Sequence, residues 1–327
     1  ATIVQLDKMP GENEIQKWGL TDYVGAVTDG TYGAVGLDFK SPHTGLAAKK
    51  VWFFFDKTYV CLGTDISSRM KNQVLTTVNQ CLLNGQVTVS DADGIHPQER
   101  GSRMKKGVRW VVHDRVGYYF LNKENVILSN QRTEGSWKIA NRQTTTPTDI
   151  IQQDVFTLSV DHGSYPNNEG YAYMVVPSAD PLSIEKQVEE EGVVVLANCP
   201  DVQAVRHDGL NMAYAVFYKG GTLRIHDKIV VEMDAPGMLM VKYNDAGEIL
   251  TLGVSDPTRF MKKLHLSVNQ RIVGTAQENI QTEWDGKQAL TRISVDLPQN
   301  EYAGKSVIYN KSVSYTHLRA HETVLDL

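Results

Sequence analysis

The sequence predicts an all-β protein built from stacked antiparallel sheets. Two observations carry that expectation. Apolar residues recur at every second position over short runs, and turn signals separate those runs along most of the chain.

Taken in order, Val51-Trp52-Phe53-Phe54-Phe55 is apolar at every position. It is expected to be a strand with a sheet against each face and Trp52 in the core. Val108, Trp110 and Val112 alternate with polar or smaller neighbours, and Val116, Tyr118 and Phe120 follow the same period. Each run gives one buried and one wet face, which puts Trp110 in the core as well. Further on, Leu264, Leu266 and Val268 alternate with His265 and Ser267, and Ile293, Val295 and Leu297 with Arg292, Ser294 and Asp296. The turns between runs fall at Asp29-Gly30, Asn84-Gly85, Asp93-Gly94, Lys219-Gly220-Gly221, Asp245-Ala246-Gly247 and Asp285-Gly286. One segment, Asp180 to Gly192, reads as a short helix. Asp180 can cap it, Pro181 suits its first turn, Ile184 and Val188 share a face, and Gly192 can end it. A lone helix between two strand-rich halves predicts domains over residues 1–192 and 193–311.

Hydrophobic residues make up 41% of the 327 and charged residues 22%, as in an ordinary globular protein. The net charge of -5 speaks against nucleic acid or an anionic membrane as a partner drawn by bulk charge. It would also repel a polyanionic sugar, so any such substrate needs a local basic patch. No run of about 18 apolar residues exists, so no membrane span is expected. Cys61, Cys81 and Cys199 lie far apart; no zinc-ligand spacing occurs, and buried small hydrophobes are the expectation. No metal or cofactor is expected. At the end of the chain, Val313 to Thr323 resembles one reading frame of a sequencing-library adapter. Residues 312–327 are therefore set aside as an artefactual tail, including the helical-spaced pair His317 and His321.

Several motifs stand in a characteristic order. Leu6-Asp7-Lys8-Met9-Pro10-Gly11 opens the series, followed by Thr28-Asp29-Gly30-Thr31-Tyr32-Gly33. Next come the run Ala47 to Asp56, Leu62-Gly63, Thr76-Thr77-Val78-Asn79-Gln80 and Asp161-His162-Gly163. Tyr171-Ala172-Tyr173-Met174-Val175-Val176-Pro177, Gln203-Ala204-Val205 and Ser255-Asp256-Pro257-Thr258 complete it. Together they resemble polysaccharide lyase family 8, over roughly residues 5 to 270. The resemblance implies a large antiparallel β-supersandwich followed by a smaller C-terminal β-sandwich, linked here by the one short helix. It also implies an N-terminal α/α toroid, absent from this chain, that closes a cleft against the supersandwich.

The chemistry implied by the resemblance is β-elimination from a uronic-acid polysaccharide, with chondroitin sulfate or hyaluronan as the expected substrate. The C5 proton is weakly acidic, so the carboxylate must be neutralised as charge builds on it, and a base and an acid must lie within reach. The family supplies Asn, His, Tyr and Arg from the toroid and a Glu from the start of the β-domain, placed upstream of Ala1. No catalytic residue is therefore expected here. The fragment alone should be inactive, and its parent extracellular or periplasmic in a bacterium. The alternatives are a stand-alone carbohydrate-binding or adhesion β-sandwich and a mutarotase-like or hydrolase sandwich, the latter disfavoured by the motif order.

Trp18, in Gln16-Lys17-Trp18-Gly19, is the one residue singled out for substrate binding, because an indole face can stack on a pyranose; packing over a surface loop is the competing role. His162 is expected to be a hydrogen-bonded histidine between strands with Asp161 as partner. Asp29 and Tyr32 are expected to fix their glycine-rich turn. Arg100, Arg103, Lys105, Lys106 and Arg109 are expected to form a solvated hairpin rather than an anion site. Glu12 and Glu14 are not assigned the family's catalytic Glu.

Overall fold

The computed structural model describes residues 2–4, 19–141, 143–272 and 278–311. Among these the strands form three antiparallel sheets of twelve, six and five strands. Across the largest run Thr2–Val4, Gln73–Leu82, Ile151–Ser164, Val116–Gly135, Glu169–Pro177, Tyr59–Ser67, Ala47–Phe54, Gly33–Lys40 and Val24–Thr28. A flap of Ser102–His113, Val87–Asp91 and Gly94–Pro97 branches from Val116–Gly135. The second sheet runs Val193–Cys199, Val202–His207, Met212–Phe217, Gly237–Tyr243, Ile249–Ser255 and Val307–Asn310. The third runs Gly221–His226, Ile229–Met233, Lys263–Val268, Leu290–Asp296 and Ile280–Asp285.

Three cores separate these layers. One lies within the curled first sheet, around Ile66, Val89, Phe120, Leu128 and Phe156. Another joins the first sheet to the second, and the last joins the second to the third. The central strands of the middle sheet are therefore covered on both faces, and Met212–Phe217 is buried at every position. Its side chains alternate between cores: Met212, Tyr214 and Val216 pack toward the first sheet, Ala213, Ala215 and Phe217 toward the third. Polar groups reinforce the first junction. The Tyr23 hydroxyl donates to the Phe217 carbonyl at 2.9 Å, and Ser255 Oγ donates to the Ala26 carbonyl at 2.8 Å.

Lys263–Val268 alternates as the sequence predicts, whereas Ser102–His113 keeps no wet face at its end: Val111, between Trp110 and Val112, is buried too, and Val108 and Val111 pack within the first sheet while Trp110 and Val112 pack toward the second. Leu264, Leu266 and Val268 are buried while His265 faces water, and Trp110 is fully buried. The apolar run is different. Val51, Phe53 and Phe55 are buried between the first two sheets, but Phe54 is 42% exposed and Trp52 only half-buried. The expected sheet on the second face does not cover that part of the strand; the Trp52 face looks into a cavity instead.

The linking helix spans Ile184–Glu191 and ends at Gly192, whose φ of 61° needs no Cβ. Its cap lies three residues beyond the expected one. Asp180 Oδ1 accepts from the Leu182 amide, forming a turn before the helix, while Ser183 occupies the cap position. Ile184 is buried and Val188 packs beside the same core. A further single turn, Trp137–Ala140, follows the long strand Val116–Gly135.

Candidate functional site

Three of the sequence motifs meet around one cavity of about 590 Å³ in the first sheet. Lys50 and Trp52 come from the apolar run, Thr76 to Val78 from the second motif strand, and Tyr171 and Tyr173 from a third. Strand register explains the convergence, because Glu169–Pro177 pairs with Tyr59–Ser67, and that strand pairs with Ala47–Phe54. Gly63 is what lets Tyr171 reach the cavity wall. It lies opposite Tyr171, and a Cβ there would stand 2.1 Å from the tyrosine ring. The Leu62-Gly63 motif thus has a packing reason.

The polar groups of this cavity are unusual for an apolar wall. Lys50 is 7% exposed, and its Nζ lies 5.4 Å from the Trp52 ring centroid. No carboxylate among the described residues pairs with it, although its neighbour Lys49 pairs with Asp65 at 2.7 Å. Burial pulls the Lys50 ammonium down to about 8. Burial pushes the Cys61 thiol up to about 12, so it is a thiol and not a thiolate nucleophile. His162 Nε2 lies 2.8 Å from Thr76 Oγ1, which lies 2.8 Å from Thr2 Oγ1. Burial brings His162 down to about 4, so its ring is neutral at neutral pH.

His162 gives a pH prediction. Its folded pKa is depressed, so the unfolded chain takes up a proton first as pH falls below 6.5. Stability is expected to drop between pH 6.5 and about 4 by roughly 3 kcal/mol from this residue. Glu124 acts oppositely, because burial and nearby Glu169 push its carboxyl up to about 7. The informative measurement is therefore urea unfolding of wild type against His162→Gln across that window. Equal slopes would reject the assignment.

The other sequence-predicted residues sort as follows. Trp18, Glu12, Glu14, His317 and His321 lie outside the described residues. The partner of His162 is Thr76, not Asp161; Asp161 Oδ1 accepts from the Gly163 amide instead. Successive residues of a strand point to opposite faces, so Asp161 cannot serve its neighbour. Asp29 Oδ1 accepts from the amides of Thr31 and Tyr32, and its other oxygen pairs with Lys242. Burial raises this carboxyl, but the Lys242 bond and the backbone donors outweigh it and hold the group below its ordinary value. Lys242 Nζ also sits 4.4 Å over the Tyr32 ring, so this motif locks the first sheet to the second.

Four of the five clustered cations are already met by carboxylates. Arg100 pairs with Asp154, Arg103 with Glu99, Lys105 with Asp91 and Arg109 with Glu185. Three of these pairs are solvent-exposed and the fourth, Lys105 with Asp91, is largely buried, so the cluster is not a free anion patch. The sequence reading missed Lys50 and the two tyrosines. The available signal was Lys50 itself, a lysine in the same two-residue register as Trp52 inside an apolar run.

Comparison with known proteins bears on this arrangement. The family described as polysaccharide lyase family 8, super-sandwich domain, matches residues 2–188. The family's C-terminal beta-sandwich domain matches residues 194–265. The chain is similar to chondroitinase-AC of Pedobacter heparinus, 36% identical over 304 residues, covering 92% of this chain and 39% of that protein. It is also similar to a hyaluronate lyase of Thermasporomyces composti, 29% identical over 288 residues, covering 86% of this chain and 36% of that one. A solved structure of chondroitinase AC lyase in oligosaccharide complexes superposes with a TM-score of 0.74 at 35% identity, covering 88% of this chain and 40% of that one. The chain thus spans about two-fifths of the length of these relatives.

Proposed function

Because this chain belongs to polysaccharide lyase family 8, we propose that it is the β-sheet part of a lyase that cleaves a uronic-acid polysaccharide, chondroitin sulfate or hyaluronan, by β-elimination. In that reaction a base removes the C5 proton and the electron pair forms the C4–C5 double bond. The C4–O bond breaks, and the leaving oxygen takes a proton. The groups that move these protons belong to an N-terminal α/α toroid outside this chain. The parent protein works outside the cytoplasm, where such polymers are found. The domains divide near Gly192 into a supersandwich over residues 1–192 and a sandwich over 193–311. Residues 312–327 belong to neither, and Trp18 contributes a ring for stacking on sugar.

The observation that carries this reading is the match across both β-domains in family order. The chemistry of the described residues agrees with a scaffold role. His162 is neutral and hydrogen-bonded into the sheet, and Cys61 is protonated. The chain's own work is to hold a rigid wall against which a catalytic domain closes.

The test is activity with and without the upstream gene. The isolated chain should release no unsaturated uronate from chondroitin sulfate or hyaluronan, followed by ultraviolet absorbance, while the gene restored through its upstream coding sequence should. Turnover by the isolated chain would relocate the catalytic groups. A genuine start codon near Ala1 would favour a stand-alone carbohydrate-binding protein.

A further inference from the structure

We infer that the Lys50 cavity is a binding subsite for the anionic group, carboxylate or sulfate, of an acidic sugar unit, with the Lys50 ammonium as its counter-ion. Three features of the cavity lead there. First, Lys50 is a cation 7% exposed with no carboxylate partner among the described residues, and it lines an open cavity. Isolated buried charges are costly, and those that persist are normally paired. The Trp52 ring at 5.4 Å supplies a π-face but no counter-charge.

Second, the cavity has the size and lining of a small-molecule site. About 590 Å³ lies in the range of ligand pockets, and apolar or aromatic walls with a few convergent polar groups are the usual design. Trp52, Tyr59, Tyr171 and Tyr173 give rings for the faces of a pyranose, and Lys50 is the charged group among them. Third, the charge balance of the whole chain calls for such a group. At -5 overall it repels a polyanion, and four of the five clustered surface cations are already paired. Lys50 is a cation left to answer an incoming anion. Pairing would also relieve the burial that lowers its pKa.

The anion follows from the cavity alone; that a sugar carries it rests on the function proposed above. The experiment is titration of the isolated chain with sodium glucuronate, sodium sulfate and glucose, read by NMR at the Trp52 indole N–H. Glucuronate should give a saturable shift that weakens at least tenfold in Lys50→Met and in Lys50→Gln, each confirmed as folded by circular dichroism. Glucose should give none. No saturable shift with glucuronate, or an equal one in both variants, would overturn the inference. Saturation by sulfate but not glucuronate would overturn the sugar assignment. Glucuronate binding by a chain whose restored gene has no lyase activity would uphold the subsite and sink the function proposed above.

Discussion

Replacing Phe53 by alanine is expected to lower the unfolding free energy by about 3–5 kcal/mol, the usual cost of deleting a fully buried phenyl ring. Phe53 is completely buried, and its ring centroid lies 5.9 Å from that of Tyr214. It comes from the first sheet and Tyr214 from the second. Both sit in well-packed strand interiors, so collapse around the void is limited and the cost should fall toward the upper end. The location adds a second expectation. The middle sheet is shared by two cores, so the loss should not stay in the first domain. Urea unfolding followed by circular dichroism and by tryptophan fluorescence should give one midpoint, shifted equally for both probes. Two separated transitions, with only the first one moved, would show that the sandwiches are independent.

Replacing Lys50 by methionine should do the opposite and stabilise the chain. The ammonium falls from 10.5 to about 8 on folding, which corresponds to roughly 3 kcal/mol of penalty for the charged form. Attraction to Trp52 offsets about 0.5–2 kcal/mol of that, leaving a gain of about 1–2.5 kcal/mol for a side chain of similar length without charge. The sign follows from linkage. A base with a depressed folded pKa weakens the fold while protonated, and the loss is recovered as pH rises from about 8 toward 10.5. The advantage of methionine should therefore be full at pH 7 and shrink across that window. A variant less stable than wild type at pH 7 would mean that the lysine makes a favourable interaction outweighing its burial. Stability given up at a position that binds ligand is a common trade.

The strand layout was legible in the sequence wherever one face is wet. Alternation located Lys263–Val268 and Leu290–Asp296 because water and core impose different residue types on the two faces. The run Val51 to Phe55 misled because aromatic residues suit a cavity wall as well as a core. Periodicity cannot distinguish a neighbouring sheet from an empty space that a ligand fills. The cavity itself was not legible, since its walls come from strands as far apart in sequence as Thr2 and Tyr173. Only pairing register brings them together. Likewise, sequence adjacency suggested Asp161 for His162, whereas the side chain that reaches it, Thr76, belongs to the neighbouring strand Gln73–Leu82. Trp18 lies in a segment outside the described residues, so its role rests on the sequence alone.

The strand buried on both faces, Met212–Phe217, has a consequence for how this protein can change over generations. In Met212–Phe217 every odd position is fitted to one core and every even position to another. Inserting or deleting a single residue there would exchange the two sets, offering Tyr214 to a space shaped for alanine and alanine to a space shaped for tyrosine. A surface strand can absorb such a slip by a bulge at its edge, but this one has a paired strand on each side. Its length should therefore be inherited as strictly as its composition, and variation in the family should collect in the turns on either side of it.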